Sequence, residues 1–167
     1  MGEAADTWNL QAWNPPLSGD MDLLIKANGE WYHEGSLITR PSLVKLFASI
    51  LRREGEDYFL VSPVEKWRIQ VEDVPFLVIE VGFEETTTAE QQKVKLHTAT
   101  GDTFFLDEEH PLRMVYSGEH SLRPYVTVRQ GMDALIHRNV FYRLSDRAVS
   151  HEGKTGLWSC GAFFSLV

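Results

Sequence analysis

The chain has 167 residues, 43% of them hydrophobic and 24% charged, with a formal net charge of −8. Five Trp, five Tyr and nine Phe supply the apolar surface of a packed core and exclude a disordered chain. The acidic balance argues against general nucleic-acid binding. No apolar run approaches the ~18 residues that span a bilayer, and a lone Cys160 excludes an internal disulfide.

The opening MGEAADTW is acidic and lacks the basic-then-apolar order of a secretory leader. Asp6 stands where a myristoylation signal needs Ser or Thr. A cytoplasmic location is the expectation. Charge is uneven: residues 1–112 hold 9 Lys+Arg against 20 Asp+Glu, and residues 113–167 hold 7 against 4. That is either a matter of solvated faces or a sign that the C-terminal part helps receive an anion.

Residues 1–20 read as an extended arm, because WNPPLSGD is rich in turn formers; burial of Trp8 and Trp13 would pin it. Asn28-Gly29 between apolar runs predicts a two-residue hairpin turn with both residues at positive φ, and EGSLI starts a third short strand. Pro41 opens a helix whose apolar face is Leu43, Val44, Leu46, Phe47, Ile50 and Leu51. Arg52 and Arg53 then suit the negative end of the helix dipole, with Gly55 as the stop. The pattern turns to β at YFLVS (58–62), KWRIQV (66–71) and PFLVIEVGFE (75–84). TTTAEQQ reads as a loop, and KVKLHT and TFFLD form a hairpin about Gly101-Asp102. Strands RMVYS, YVTVRQ and DALIH lead to a helix over about 139–149, and GLWSCGAFFSLV closes the chain as one or two strands.

The segment ITRPSLVKLFASIL (38–51) recurs 98 positions later as IHRNVFYRLSDRAV (136–149). Ile38, Arg40, Leu46, Glu54 and Gly55 meet identical residues in that gapless register. The expected fold is therefore α+β: two similar halves, 21–84 and 85–167, each a small antiparallel sheet with one helix, sharing an interface. A cleft at that interface is the natural place for a ligand.

HEGSLITR, LVKLFASILRREGEDYFLVSPVEKWRIQVEDVPF and LIHRNVFYRLSDRAV…GLWSCGAFFSL resemble a bacterial domain-of-unknown-function family numbered 1285. The resemblance spans about Trp13 to Val167. It implies a duplicated α+β core, with a C-terminal half superficially like a pleckstrin-homology fold. It also implies a nucleotide-like ligand at the domain interface and a link to signalling.

Candidate ligand residues follow from position and chemistry. Arg40 and Arg138 precede the two helices, where free N–H groups and the dipole suit phosphate; the alternative is a local ion pair for each. Lys66 can hold an anion and Glu65 can accept from a base or sugar, or the two form a solvated turn. His33 lies beside Glu34, but neighbours on a strand face opposite ways, so acid–base work by the pair is disfavoured. Tyr142 and Trp158 can stack on a planar base or simply fill the core. His97, His110, His120, His137 and His151 lack the spacing of a metal site, and Cys160 reads as a buried thiol. No Walker loop, Rossmann fingerprint or nucleophile elbow is present, and no cofactor is expected.

The functional expectation is a non-catalytic protein that binds a small nucleotide-like anion, with no nucleic-acid polymer and no membrane as partner. Two alternatives stay open: a protein-interaction or homo-oligomerisation module, and a nucleotide-acting hydrolase.

Overall fold

A computed structural model describes residues 10–84, 86–118 and 121–167. Trp8, His120 and the expected boundary residue Glu85 lie outside the described residues. The chain divides into two units. One runs to Pro75 and includes Gln130–Met132; the other takes Phe76–Arg129 and Asp133–Val167. The division thus falls before the strand that starts at Phe76, rather than after Glu84.

The first unit holds strands β1 (Gly19–Ile25), β2 (Trp31–His33) and β3 (Ser36–Leu37), then helix α1 (Pro41–Ser49). Strands β4 (Leu51–Glu54), β5 (Asp57–Val61) and β6 (Lys66–Val71) follow. They form one six-stranded sheet in the order β3-β2-β1-β6-β5-β4. The sheet is mixed rather than antiparallel, because β1 and β6 run parallel, with Ile25 beside Val71. Leu23, Ile25, Trp31, Leu51, Leu60, Val61 and Ile69 make its core.

Three local expectations are corrected here. Asn28-Gly29 is part of a three-residue loop: Lys26 and Glu30 still pair, the Gly29 N–H closes a turn on the Lys26 carbonyl, and φ is positive (+89°) at Gly29 but not at Asn28. Such a type I turn plus a left-handed glycine fits the twist of the strands as well as a two-residue turn does. Helix α1 stops at Ser49, and Leu51 opens β4, so Arg52 and Arg53 stand on a strand and Gly55 sits in the β4–β5 turn. The apolar pair Ile50-Leu51 satisfies a helical and an extended pattern equally. Within α1 only Ala48 and Ser49 are buried, and Leu46 is 49% exposed, so the helix covers less than its apolar spacing implies.

The second unit opens with β7 (Phe76–Glu84), β8 (Lys93–Thr98) and β9 (Thr103–Phe105). Then come β10 (Leu112–Ser117), β11 (Ser121–Arg129), β12 (Met132–Ile136) and helix α2 (Arg138–Ser145). These strands form a six-stranded sheet in the order β10-β11-β12-β7-β8-β9, also mixed, with β12 parallel to β7. A three-stranded meander closes the chain: β13 (Val149–His151), β14 (Lys154–Ser159) and β15 (Ala162–Ser165). It is tied to β8 by the fully buried Ser159, whose Oγ accepts from the Val94 N–H at 2.9 Å. Helix α2 is four residues shorter at its C-terminus than expected, because the chain turns after Ser145 to start the meander.

The duplication is visible as one winding used twice: three strands, a helix and a three-stranded meander. Thus β1-β2-β3-α1-β4-β5-β6 recurs as β10-β11-β12-α2-β13-β14-β15. In the first unit β6 ladders onto β1; in the second β15 lies beside β10 with no ladder between them. Strands β7–β9 have no counterpart in the first unit and widen the second sheet at β12. The gapless register of 98 fails at the hairpin. Glu54 pairs with Asp57 and His151 pairs with Lys154, so the turns superpose 97 positions apart. Glu54 is thus matched by His151, not by Glu152.

Candidate functional site

Of the seven residues singled out from the sequence, only Lys66 joins a built polar cluster. Arg40 is the exposed residue that caps α1 without a side-chain hydrogen bond. Arg138 is the exposed first residue of α2, capped by His137, whose Nδ1 accepts from the Asn139 N–H. Neither guanidinium is paired among the described residues. Glu65 is exposed in the turn before β6, where its N–H donates to Ser62 Oγ at 3.0 Å. His33 is exposed at the end of β2, with β1 lying between β2 and β6. Tyr142 is 58% exposed on α2. Trp158 packs edge-on against His151 and Phe163, at ring separations of 4.7 and 5.4 Å. Cys160 is exposed rather than buried, in a turn where it takes φ of 52°.

The cluster that does form is centred on Glu54 and was not anticipated. Residues two apart on a strand share a face, so Arg52 and Glu54 meet along β4. Arg52 Nε and Nη2 donate to Glu54 Oε2 at 3.0 and 2.9 Å. From β6, Lys66 Nζ reaches Glu54 Oε1 at 3.1 Å and lies 4.9 Å from the Phe59 ring centroid. Burial pushes the Glu54 carboxyl up, but hydrogen bonds from Lys66 and Arg52 outweigh it and hold the group below its ordinary range.

Arg52 itself is buried and also works as a tether. Its Nη1 donates to the carbonyls of Leu10, at 2.9 Å, and Trp13, at 2.7 Å. These carbonyls bracket a 3₁₀ turn (Leu10–Ala12), in which Leu10 is 2% exposed. The N-terminal arm is thus held by a buried arginine and by the burial of Leu10. Nothing in local sequence shows this, since the partners lie 42 and 39 residues apart.

Arg53 points the other way. Its Nε donates to the Gly55 carbonyl and its Nη1 to the Gly131 carbonyl, each at 2.8 Å. Both partners are uncharged, so no carboxylate among the described residues neutralises it, and its Nη2 is unpartnered among them. Arg52, Arg53 and Glu54 line an open cavity of about 360 Å³, completed by Gln11, Trp13, Asn14 and Gln130, all within the first unit. The cavity thus combines a braced, unneutralised guanidinium with an indole and three side-chain amides.

A second cavity, of about 340 Å³, lies in the second unit between the Thr86–Ala89 loop and Asp146–Val149. Its cation, Arg147, already lies 4.2 Å from the Phe83 ring centroid. In the superposed hairpins, Arg52, Arg53 and Glu54 are matched by Val149, Ser150 and His151. The charged triplet on β4 is therefore not repeated.

Comparison with known proteins supports the architecture. No curated protein matches the chain. A solved structure of a DUF1285 family protein from Silicibacter pomeroyi DSS-3 is 41% identical, with a TM-score of 0.89, over 96% of this chain and 87% of that one. Another, from Shewanella baltica OS155, is 28% identical, with a TM-score of 0.58, over 76% of this chain and 92% of that one. The N-terminal domain of unknown function DUF1285 matches residues 9–74 and the corresponding C-terminal domain matches 75–166, a split close to that of the two units except that Gln130–Met132 falls in the first unit. The chain belongs to the DUF1285 family.

Proposed function

We propose that this protein is a non-catalytic binding protein for a small nucleotide-like anion, with the ligand in the Arg52–Arg53 cavity of the first unit. The observation that carries this reading is the state of Arg53. Two carbonyls fix the direction of its guanidinium without cancelling its charge, the Tyr58 ring lies 5.7 Å from it, and the residue lines a cavity. A preorganised arginine of this kind suits a phosphate oxygen, because little side-chain entropy remains to be lost on binding. Trp13 offers a face for a base, and Gln11, Asn14 and Gln130 offer donors and acceptors for its edge.

Binding rather than catalysis fits the chemistry of Glu54. A carboxylate held ionised by Arg52 and Lys66 is a weak base and a poor proton donor near neutral pH. Lys66 keeps a role in the proposal, but as the residue that neutralises Glu54. A part in signalling, which the family resemblance implies, is the natural use of such a protein.

Isothermal titration against a panel of nucleoside mono- and diphosphates and inorganic phosphate is the direct test. Saturable binding that Arg53→Ala weakens by about tenfold or more supports the reading; that factor is the loss of one charge-assisted contact. No binding at millimolar concentration, or equal binding by Arg53→Ala, defeats it.

A further inference from the structure

We infer that ligand in this cavity controls the docking of the N-terminal segment Leu10–Ser18, which acts as a strap across β4 and β6. The inference rests on the binding reading above and adds a regulation to that site. The strap is fastened at two points. At one end, Arg52 holds the Leu10 and Trp13 carbonyls. At the other, the Ser18 N–H donates to the Lys66 carbonyl at 2.7 Å, and the Lys66 N–H returns a bond to Ser18 Oγ at 3.1 Å. Glu54 holds Arg52 and so organises the first fastening; the second is made by the backbone of Lys66, the residue whose side chain meets the same carboxylate. Between them lies Asn14-Pro15-Pro16, whose prolines fix φ and favour an extended, stiff course.

The cavity is divided between strap and body. Gln11, Trp13 and Asn14 come from the strap, and Arg52, Arg53 and Glu54 from β4. A ligand that touches both walls binds only the docked state, so occupancy and docking are thermodynamically linked and the linkage is reciprocal. Opening of the strap is then suppressed by the factor 1 + [L]/Kd, about 100-fold at a ligand concentration of 100 Kd. The strap is thus placed to report occupancy, because its release uncovers the β4 surface around Arg52.

The test is hydrogen–deuterium exchange on the full chain, with affinity measured by calorimetry in the same samples. The probes are AMP, GMP and inorganic phosphate. For a probe that binds, slowing of exchange at the hydrogen-bonded Trp13 and Ser18 amides by about 100-fold at 100 Kd, with α2 of the second unit unchanged, is expected. A probe that binds and leaves exchange of the strap unaltered overturns the inference while sparing the binding reading. If no probe binds, both fall. Trp13→Ala separates the parts further: it is expected to lose affinity and ligand-dependent protection together, whereas protection that survives in it contradicts the shared wall.

Discussion

Glu54 and Lys66 sit on β4 and β6, strands separated by β5, and their side chains meet at 3.1 Å. With Arg52 on the same carboxylate, this pair fixes the electrostatics of the first unit's cavity. Arg52 and Lys66 face one glutamate and leave one positive charge over, and Arg53, turned the other way onto two carbonyls, adds a second.

Glu54→Gln should cost about 1 kcal/mol at neutral pH. The figure is kept small because the Glu54 side chain is 40% exposed, which screens the pairs. The sign of the pH effect follows from the depressed carboxyl. The folded-state value lies below the ordinary 4.5, so the ionised group stabilises the fold above that range and the contribution fades as pH falls through the folded value. Urea unfolding of both proteins at several pH values checks this: the gap should be full at neutral pH and close in acid.

Gly156→Ala should destabilise the second unit by about 3 kcal/mol. A Cβ there would collide with the Phe164 carbonyl and the Phe163 ring, between β14 and β15. Gly82 on β7 faces open space at an ordinary φ, so Gly82→Ala should stay within about 0.5 kcal/mol of the parent. Thermal unfolding of the two variants gives the comparison.

The Cys160 thiol should react with a thiol reagent in the folded protein. It is exposed in the turn between β14 and β15. Stoichiometric labelling under native conditions, at a rate close to that in denaturant, is the expected result; labelling only on unfolding would contradict the exposed turn.

How much of this was legible in the sequence depended on the range of the interactions. KWRIQV and KVKLHT delimit β6 and β8 to the residue, because alternating or β-branched runs bounded by turn formers leave no competing pattern. Pro41 marks the start of α1 for the same local reason. The end of α1 was not legible, since Leu51 suits a helix face and a buried strand alike. Nor was the site. Arg52 reads as a residue for the helix end until one sees the Leu10 and Trp13 carbonyls that the fold brings to it. Arg40 and Arg138 stood out by repetition and by their place before two helices, both local features. The duplication itself was legible, but its register was off by one at the hairpin, where Gly55 and Gly153 occupy different positions of their two-residue turns.

Arg40→Ala/Arg138→Ala should bind the nucleotide probe as the parent does, within about twofold, because neither residue lines the cavity. Calorimetry with the probe that binds best decides this.

The most direct measurement is an NMR titration of the full chain with a nucleoside monophosphate, following the arginine Nε–Hε and tryptophan Nε1–H signals. Saturable shifts at Arg52, Arg53 and Trp13, with Arg40 and Arg138 unmoved, are the expected result. Shifts confined to Arg40 and Arg138, or none at saturating nucleotide, would contradict it.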